Sequence, residues 1–229
     1  MKTIGMLGGM SWESTSEYYR IANGAVREAL GGDHSAPIIL DSVDFAEVRV
    51  LHVADDWDGA GRLLAGHAAR LEAAGAELFI LCTNSMHKVI GHIEDAIDIP
   101  ILHIGDTTAE AILAAGLSRV GLIGTRFTMS DGFLRDRISA HGIELIVPDS
   151  DDQNVVHSII FDELVRGDFL DTSRKRLQTV MDRLVEKGAE GIILGCTEIE
   201  LLIAPEDVPV PSFPTTRLHA EAAVRAALS

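Results

Sequence analysis

Gly75-Ala76-Glu77-Leu78-Phe79-Ile80-Leu81-Cys82-Thr83-Asn84-Ser85 lies over Gly188-Ala189-Glu190-Gly191-Ile192-Ile193-Leu194-Gly195-Cys196-Thr197-Glu198 with five identities in eleven positions. Two further pairs follow the same order. Ile4-Gly5-Met6-Leu7-Gly8-Gly9 lies over Val120-Gly121-Leu122-Ile123-Gly124-Thr125, and Pro100 with Thr107 lies over Pro209 with Thr216. Three matches in one order read as an internal duplication with its boundary near Gly116. Each half then supplies the same strand ends to a shared cleft.

Each matched stretch is a short apolar run bounded by Gly or polar residues, and such runs alternate with segments of helical period along the chain. That pattern predicts an α/β fold with parallel strands covered on both faces. Strands are expected at residues 3–7, 37–40, 78–82, 101–104, 119–123, 143–147, 191–195 and 208–211. Between them, Tyr18, Ile21, Ala22, Ala25, Val26 and Ala29 form one helical stripe. Leu63, Leu64, His67, Ala68 and Leu71 form a second, and Leu177, Val180, Met181, Leu184 and Val185 a third. All three read as core packing. The domain organisation expected is residues 1–97 with 212–229 as one α/β domain and 98–211 as the other.

Composition narrows the function classes. The 229 residues are 47% apolar and 24% charged, which excludes disorder and coiled coil as the main architecture. A net charge of −16 repels a phosphate backbone, so nucleic acid is not an expected partner. No apolar stretch nears the roughly 20 residues that cross a bilayer, and Met1-Lys2-Thr3-Ile4-Gly5 runs into a strand without a secretory core. A soluble cytoplasmic protein with no membrane partner is expected, and Cys82 and Cys196 read as free thiols.

Ligands of parallel α/β sheets bind outside the carboxyl ends of the strands, where helix N-termini offer free N–H groups. The turns Gly8-Gly9-Met10-Ser11, Cys82-Thr83-Asn84-Ser85, Gly124-Thr125 and Cys196-Thr197-Glu198 fall there. Neither G-x-G-x-x-G nor a phosphate-binding G-x-x-x-x-G-K-[ST] occurs, so a dinucleotide or triphosphate cofactor is not expected. His87, His92 and His103 match no zinc spacing, no metal site is expected, and His87 reads as support for its loop. Cys196 ends an apolar run at a helix start, where the dipole and free amides favour a thiolate that can act as base or nucleophile. Cys82 is not its counterpart. Counted from Gly75 and Gly188, Cys196 matches Thr83 and Cys82 matches Gly195, and a one-residue offset turns a strand side chain to the other face.

On Ile4 to Trp12, Cys82-Thr83-Asn84-Ser85-Met86-His87-Lys88, Gly121 to Thr125 and Gly195-Cys196-Thr197-Glu198, the chain resembles the cofactor-independent aspartate/glutamate racemase family over essentially its whole length. The resemblance implies two similar α/β domains related by a pseudo-twofold axis, an active site between them and no pyridoxal phosphate. It also implies two opposed acid/base residues, usually one cysteine per half, in C-N-T and G-C-T-E contexts. Here Thr83 stands at the first of those positions, as in a subgroup carrying Thr. A homodimer acting on a small, acidic amino acid is expected.

Inverting an α-carbon without a cofactor needs one group to remove a proton from one face and another to deliver one to the opposite face. Cys196 is assigned as proton acceptor and Thr83 as proton donor or relay. Asn84, Ser85 and Thr197 are expected to hold the α-carboxylate, with Met10, His52 and Thr125 lining the pocket. Arg49, Arg126 and Arg166 are the cations near loops available for a second carboxylate. A maleate isomerase-like or decarboxylating enzyme using Cys196 alone, and an inactive amino-acid binding protein, are the alternative readings.

Overall fold

The computed structural model describes all 229 residues. It contains two four-stranded parallel sheets. The first comprises β1 (Ile4–Gly8), β2 (Ile38–Ser42), β3 (Leu78–Leu81) and β4 (Ile101–Leu102) in the order β2-β1-β3-β4. The second comprises β5 (Arg119–Gly124), β6 (Glu144–Ile146), β7 (Ile192–Gly195) and β8 (Ser212–Pro214) in the order β6-β5-β7-β8. Advancing each label by four converts one order into the other, as a duplication requires.

The first sheet shows why its strands read as continuous apolar runs. Ile4, Met6, Leu78, Ile80 and Cys82 point into a layer with Tyr18, Ala22 and Val26 of the helix Trp12–Leu30 and with Ala220, Ala223 and Val224 near the C-terminus. The alternate residues Leu7, Phe79 and Leu81 point into another with Leu64, Ala68 and Leu71 of the helix Trp57–Ala73. Alternation along each strand therefore distributes apolar side chains to two buried faces. In the second half, Leu177, Val180, Met181 and Leu184 of the helix Asp171–Glu186 are buried, as their stripe requires.

Two expectations need correction. The last strand lies at Ser212–Pro214 rather than at 208–211. Pro209 and Pro211 have no N–H to give to a ladder, and the carbonyl of Pro211 instead receives the N–H of Ile192 at 2.9 Å. Pro100 receives Phe79 N–H at 2.8 Å in the corresponding place, so Pro100 matches Pro211 and not Pro209. The domain boundaries also move. The chain divides into Met1–Ile104 with His219–Ser229 and Gly105–Leu218, seven residues later at each crossing than expected. The cause is pairing at the sheet edges: β4 continues its own half through β3, and β8 does so through β7.

Candidate active site

Ladder register fixes which residues of the two halves correspond. Ile4 pairs with Leu78 and Leu7 with Leu81, while Gly121 pairs with Ile192 and Gly124 with Gly195. With β1 matched to β5 as the sequence sets them, Leu81 corresponds to Leu194, Cys82 to Gly195 and Thr83 to Cys196. Backbone pairing thus reproduces the register read from the sequence. Cys82 faces the core at 0% exposure, and burial pushes its thiol far above the ordinary range, so it is inert.

In the first half, the strand-end turn is closed by Thr83 N–H donating to Leu81 O at 2.8 Å. The Thr83 hydroxyl lies 3.4 Å from that of Ser85, and its carbonyl receives the ring of His87 at 2.7 Å. Thr83 and Asn84 are buried and Ser85 is half-buried at the start of the 3-10 turn Ser85–Val89. The neighbouring turn after β1 is tight. Gly9 has φ +93°, and a Cβ there would lie 2.2 Å from the Val43 carbonyl, so only glycine fits. Its N–H donates to Thr15 Oγ1 at 2.8 Å, the buried Met10 follows, and Ser11 caps the helix through Ser14 N–H.

His52 is half-buried on the helix Phe45–Val53, its ring 5.0 Å from that of Trp57. Lys88 Nζ stands 4.0 Å from the Trp57 ring centroid, a cation in the same half that the sequence reading passed over. Arg49 and Arg166 are exposed, and Arg126, also exposed, donates to Asn154 Oδ1. No group of three or more His, Cys, Asp or Glu side chains is arranged to hold a metal ion.

In the second half, Thr125 caps the helix Arg126–Ser130 by accepting the Thr128 N–H at 3.1 Å. Its hydroxyl serves the fold. Cys196 is the N-cap residue of the helix Thr197–Leu202, and its Sγ–H donates to Glu198 Oε2 at 2.9 Å. The expectation of a ready thiolate is overturned. Burial first, then the Glu198 carboxylate, raise the thiol well above its ordinary value, while backbone N–H groups of Glu198 and Ile199 pull the other way and lose. Cys196 therefore rests as a thiol with an acceptor in place.

The Cys196 turn is held from behind. Thr197 and Thr216 hydroxyls meet at 2.8 Å, Thr215 Oγ1 donates to Leu194 O at 3.1 Å, and Glu200 Oε1 accepts the Thr216 N–H at 2.9 Å. Burial pushes the Glu200 carboxyl up to about 8. Glu198 stood in the motif without a role, and Glu200 was not singled out at all. The available signal was a carboxylate two residues after a candidate base.

The Asp/Glu/Hydantoin racemase family model matches residues 7–223. The chain belongs to that family. A Yersinia pestis protein proposed to be an Asp/Glu racemase is 50% identical, with all of both chains covered and a TM-score of 0.95. An aspartate racemase homologue from Pyrococcus horikoshii OT3 is 32% identical, again with both chains fully covered, at a TM-score of 0.90. The broad specificity amino-acid racemase RacX of Bacillus subtilis is 22% identical over 229 residues, 96% of each chain. Membership in the racemase family supports an amino-acid racemase or isomerase, and no helix is long and apolar enough to cross a membrane.

Proposed function

We propose that the chain is a cofactor-independent racemase of aspartate and/or glutamate in a reducing, cytoplasmic setting, with Cys196 and Thr83 acting on opposite faces of Cα. The observation that carries the reading is the correspondence of Thr83 and Cys196 at equivalent strand ends, with the Cys196 thiol donating to Glu198. In one direction Glu198 takes the thiol proton, and the thiolate takes the α-proton. Thr83 then delivers its hydroxyl proton to the other face, and the alkoxide recovers one from solvent through Ser85. Solvent also removes the proton gained by the Cys196–Glu198 pair. Asn84, Ser85, Thr197 and turn amides would hold the α-carboxylate and stabilise charge as it develops on Cα. Met10, His52 and Thr125 would line the remaining wall.

A threonine hydroxyl is a far weaker base than a thiolate at neutral pH, so one enantiomer should lose its α-proton much faster than the other. The single thiol also supports a second reading, a one-base isomerase or decarboxylase of other carboxylic acids. Proton NMR of each enantiomer of aspartate and glutamate in heavy water, without pyridoxal phosphate or metal, tests the proposal. Cα deuteration with inversion is expected. Activity that arises only on adding pyridoxal phosphate would contradict it.

A further inference from the structure

The 113-residue step from Thr83 to Cys196 also carries His87 onto Glu200. These two side chains do the same thing in their own halves. Glu200 Oε1 accepts the Thr216 N–H in the first turn of the helix Thr215–Leu228, and His87 Nε2 accepts the Ile104 N–H at 3.3 Å, at the start of the helix Ile104–Ala114. Each half thus places an acceptor, His87 buried and Glu200 half-buried, four residues beyond its strand-end residue and uses it to satisfy an amide that helix geometry leaves open. His87 does one thing more: its Nδ1 reaches the Thr83 carbonyl at 2.7 Å.

These partners leave only one ring state. A carbonyl can only accept, so Nδ1 carries the hydrogen, and a backbone amide can only donate, so Nε2 carries none. Around it, His103 stands 4.5 Å and His219 5.7 Å away between ring centroids, and both disfavour a positive charge on His87. His219 is fixed in the opposite tautomer, with Nε2–H donating to Leu102 O at 2.8 Å and Nδ1 accepting from Tyr18 OH at 3.0 Å. Burial of these rings lowers both, His219 to about 4 and His87 well below its ordinary value. His87 and His219 are thus held in defined neutral tautomers beside the Thr83 peptide.

We infer that His87 is a positioning residue for the Thr83 side of the reaction, fixing the Thr83 carbonyl, and with it the hydroxyl's aim, to the N-terminus of the helix Ile104–Ala114. The inference rests on the proposed racemase reading and deepens it. Inversion requires Thr83, whereas Cα exchange without inversion requires only Cys196, so the ratio of the two rates isolates the Thr83 side.

The experiment compares parent, His87→Leu and His87→Asn by proton NMR of each glutamate and aspartate enantiomer in heavy water. His87→Leu should lower inversion about tenfold or more relative to exchange of the favoured enantiomer, the scale of a misplaced catalytic group. His87→Asn, whose amide keeps an N–H where Nδ1–H was, should recover most of that loss. In the parent, nitrogen-15 imidazole spectra should show His87 as the neutral Nδ1–H form from pH 5 to pH 8, a readout independent of turnover and of variant folding. An Nε2–H or charged ring would overturn the inference, as would a racemising parent in which both variants lose exchange and inversion by one factor. A parent that exchanges no α-proton would remove the racemase reading itself, and the role of His87 with it.

Discussion

The Thr83 turn and the Cys196 turn occupy the same place in two sheets of the same strand order, yet they carry different chemistry. Cys196 leads directly into an α-helix and donates its Sγ–H hydrogen bond to Glu198, whereas Thr83 leads into a 3-10 turn and has the Ser85 hydroxyl nearby. Behind them stand different braces, Glu200 against the Thr216 amide in one half and His87 against the Ile104 amide in the other. Backbone register keeps the two positions equivalent while the side chains at i and i+2 differ, a thiol with a carboxylate in one half and a hydroxyl with a hydroxyl in the other. Two sheets of one strand order can therefore carry unequal side chains at equivalent strand ends.

The largest expected effect separates the two cysteines. Cys196→Ala should cost several powers of ten in Cα exchange, each tenfold being about 1.36 kcal/mol of barrier, with the fold intact. Cys82→Ala should leave exchange near parental and lower stability by about 1 kcal/mol through a small cavity. Exchange rates with a parallel thermal melt decide this, and a Cys82 variant as inactive as the Cys196 variant would break the register that relates the halves.

Glu198 sharpens the contrast next. Because its carboxylate raises the Cys196 thiol, accepts its hydrogen bond and is proposed to take its proton, Glu198→Gln should have opposite effects on two readouts. Alkylation of Cys196 by iodoacetamide should reach half its maximal rate at a lower pH than in the parent. Cα exchange should fall by roughly 10²-fold or more, the range of general acid–base contributions. Exchange that rises along with alkylation would show Glu198 to be only a damper on the thiol.

The smallest effect concerns the brace. Glu200 sits near 8 in the folded protein against an ordinary 4.5, so the folded state holds its proton more tightly. That contribution to stability is fully present below pH 4.5 and is lost as pH rises through about 8. Glu200→Gln keeps an acceptor for Thr216 N–H and never charges. Its stability relative to the parent should therefore improve between pH 5 and pH 9, by at least about 1 kcal/mol or roughly 2–4 °C in Tm. Melts whose difference stays flat across that range would contradict the assignment.

Much of this was legible in the sequence. Repeated apolar runs gave both sheets, because strands buried on two faces need no alternation to be recognised. The offset between Cys82 and Cys196 was legible because a strand's period of two makes a one-residue slip a change of face. The edge strand β8 was misplaced because Pro209 and Pro211 look like part of an apolar run but cannot donate to a ladder. The resting state of Cys196 was missed because local sequence shows the helix start and hides the burial that outweighs it. The partners of His87 were hidden for a related reason: Ile104 lies 17 residues away and His219 far beyond it.

The central claim, that Thr83 and Cys196 serve opposite faces with unequal strength, is tested most directly by proton NMR of both enantiomers in heavy water for parent, Thr83→Ala and Thr83→Cys. The equilibrium between enantiomers stays at unity, so the inequality can show only in rates and in exchange without inversion. Thr83→Ala should suppress inversion while the favoured enantiomer still exchanges its α-proton through Cys196, and Thr83→Cys should raise inversion from both enantiomers. Inversion unchanged in Thr83→Ala would make Thr83 a bystander and contradict the account.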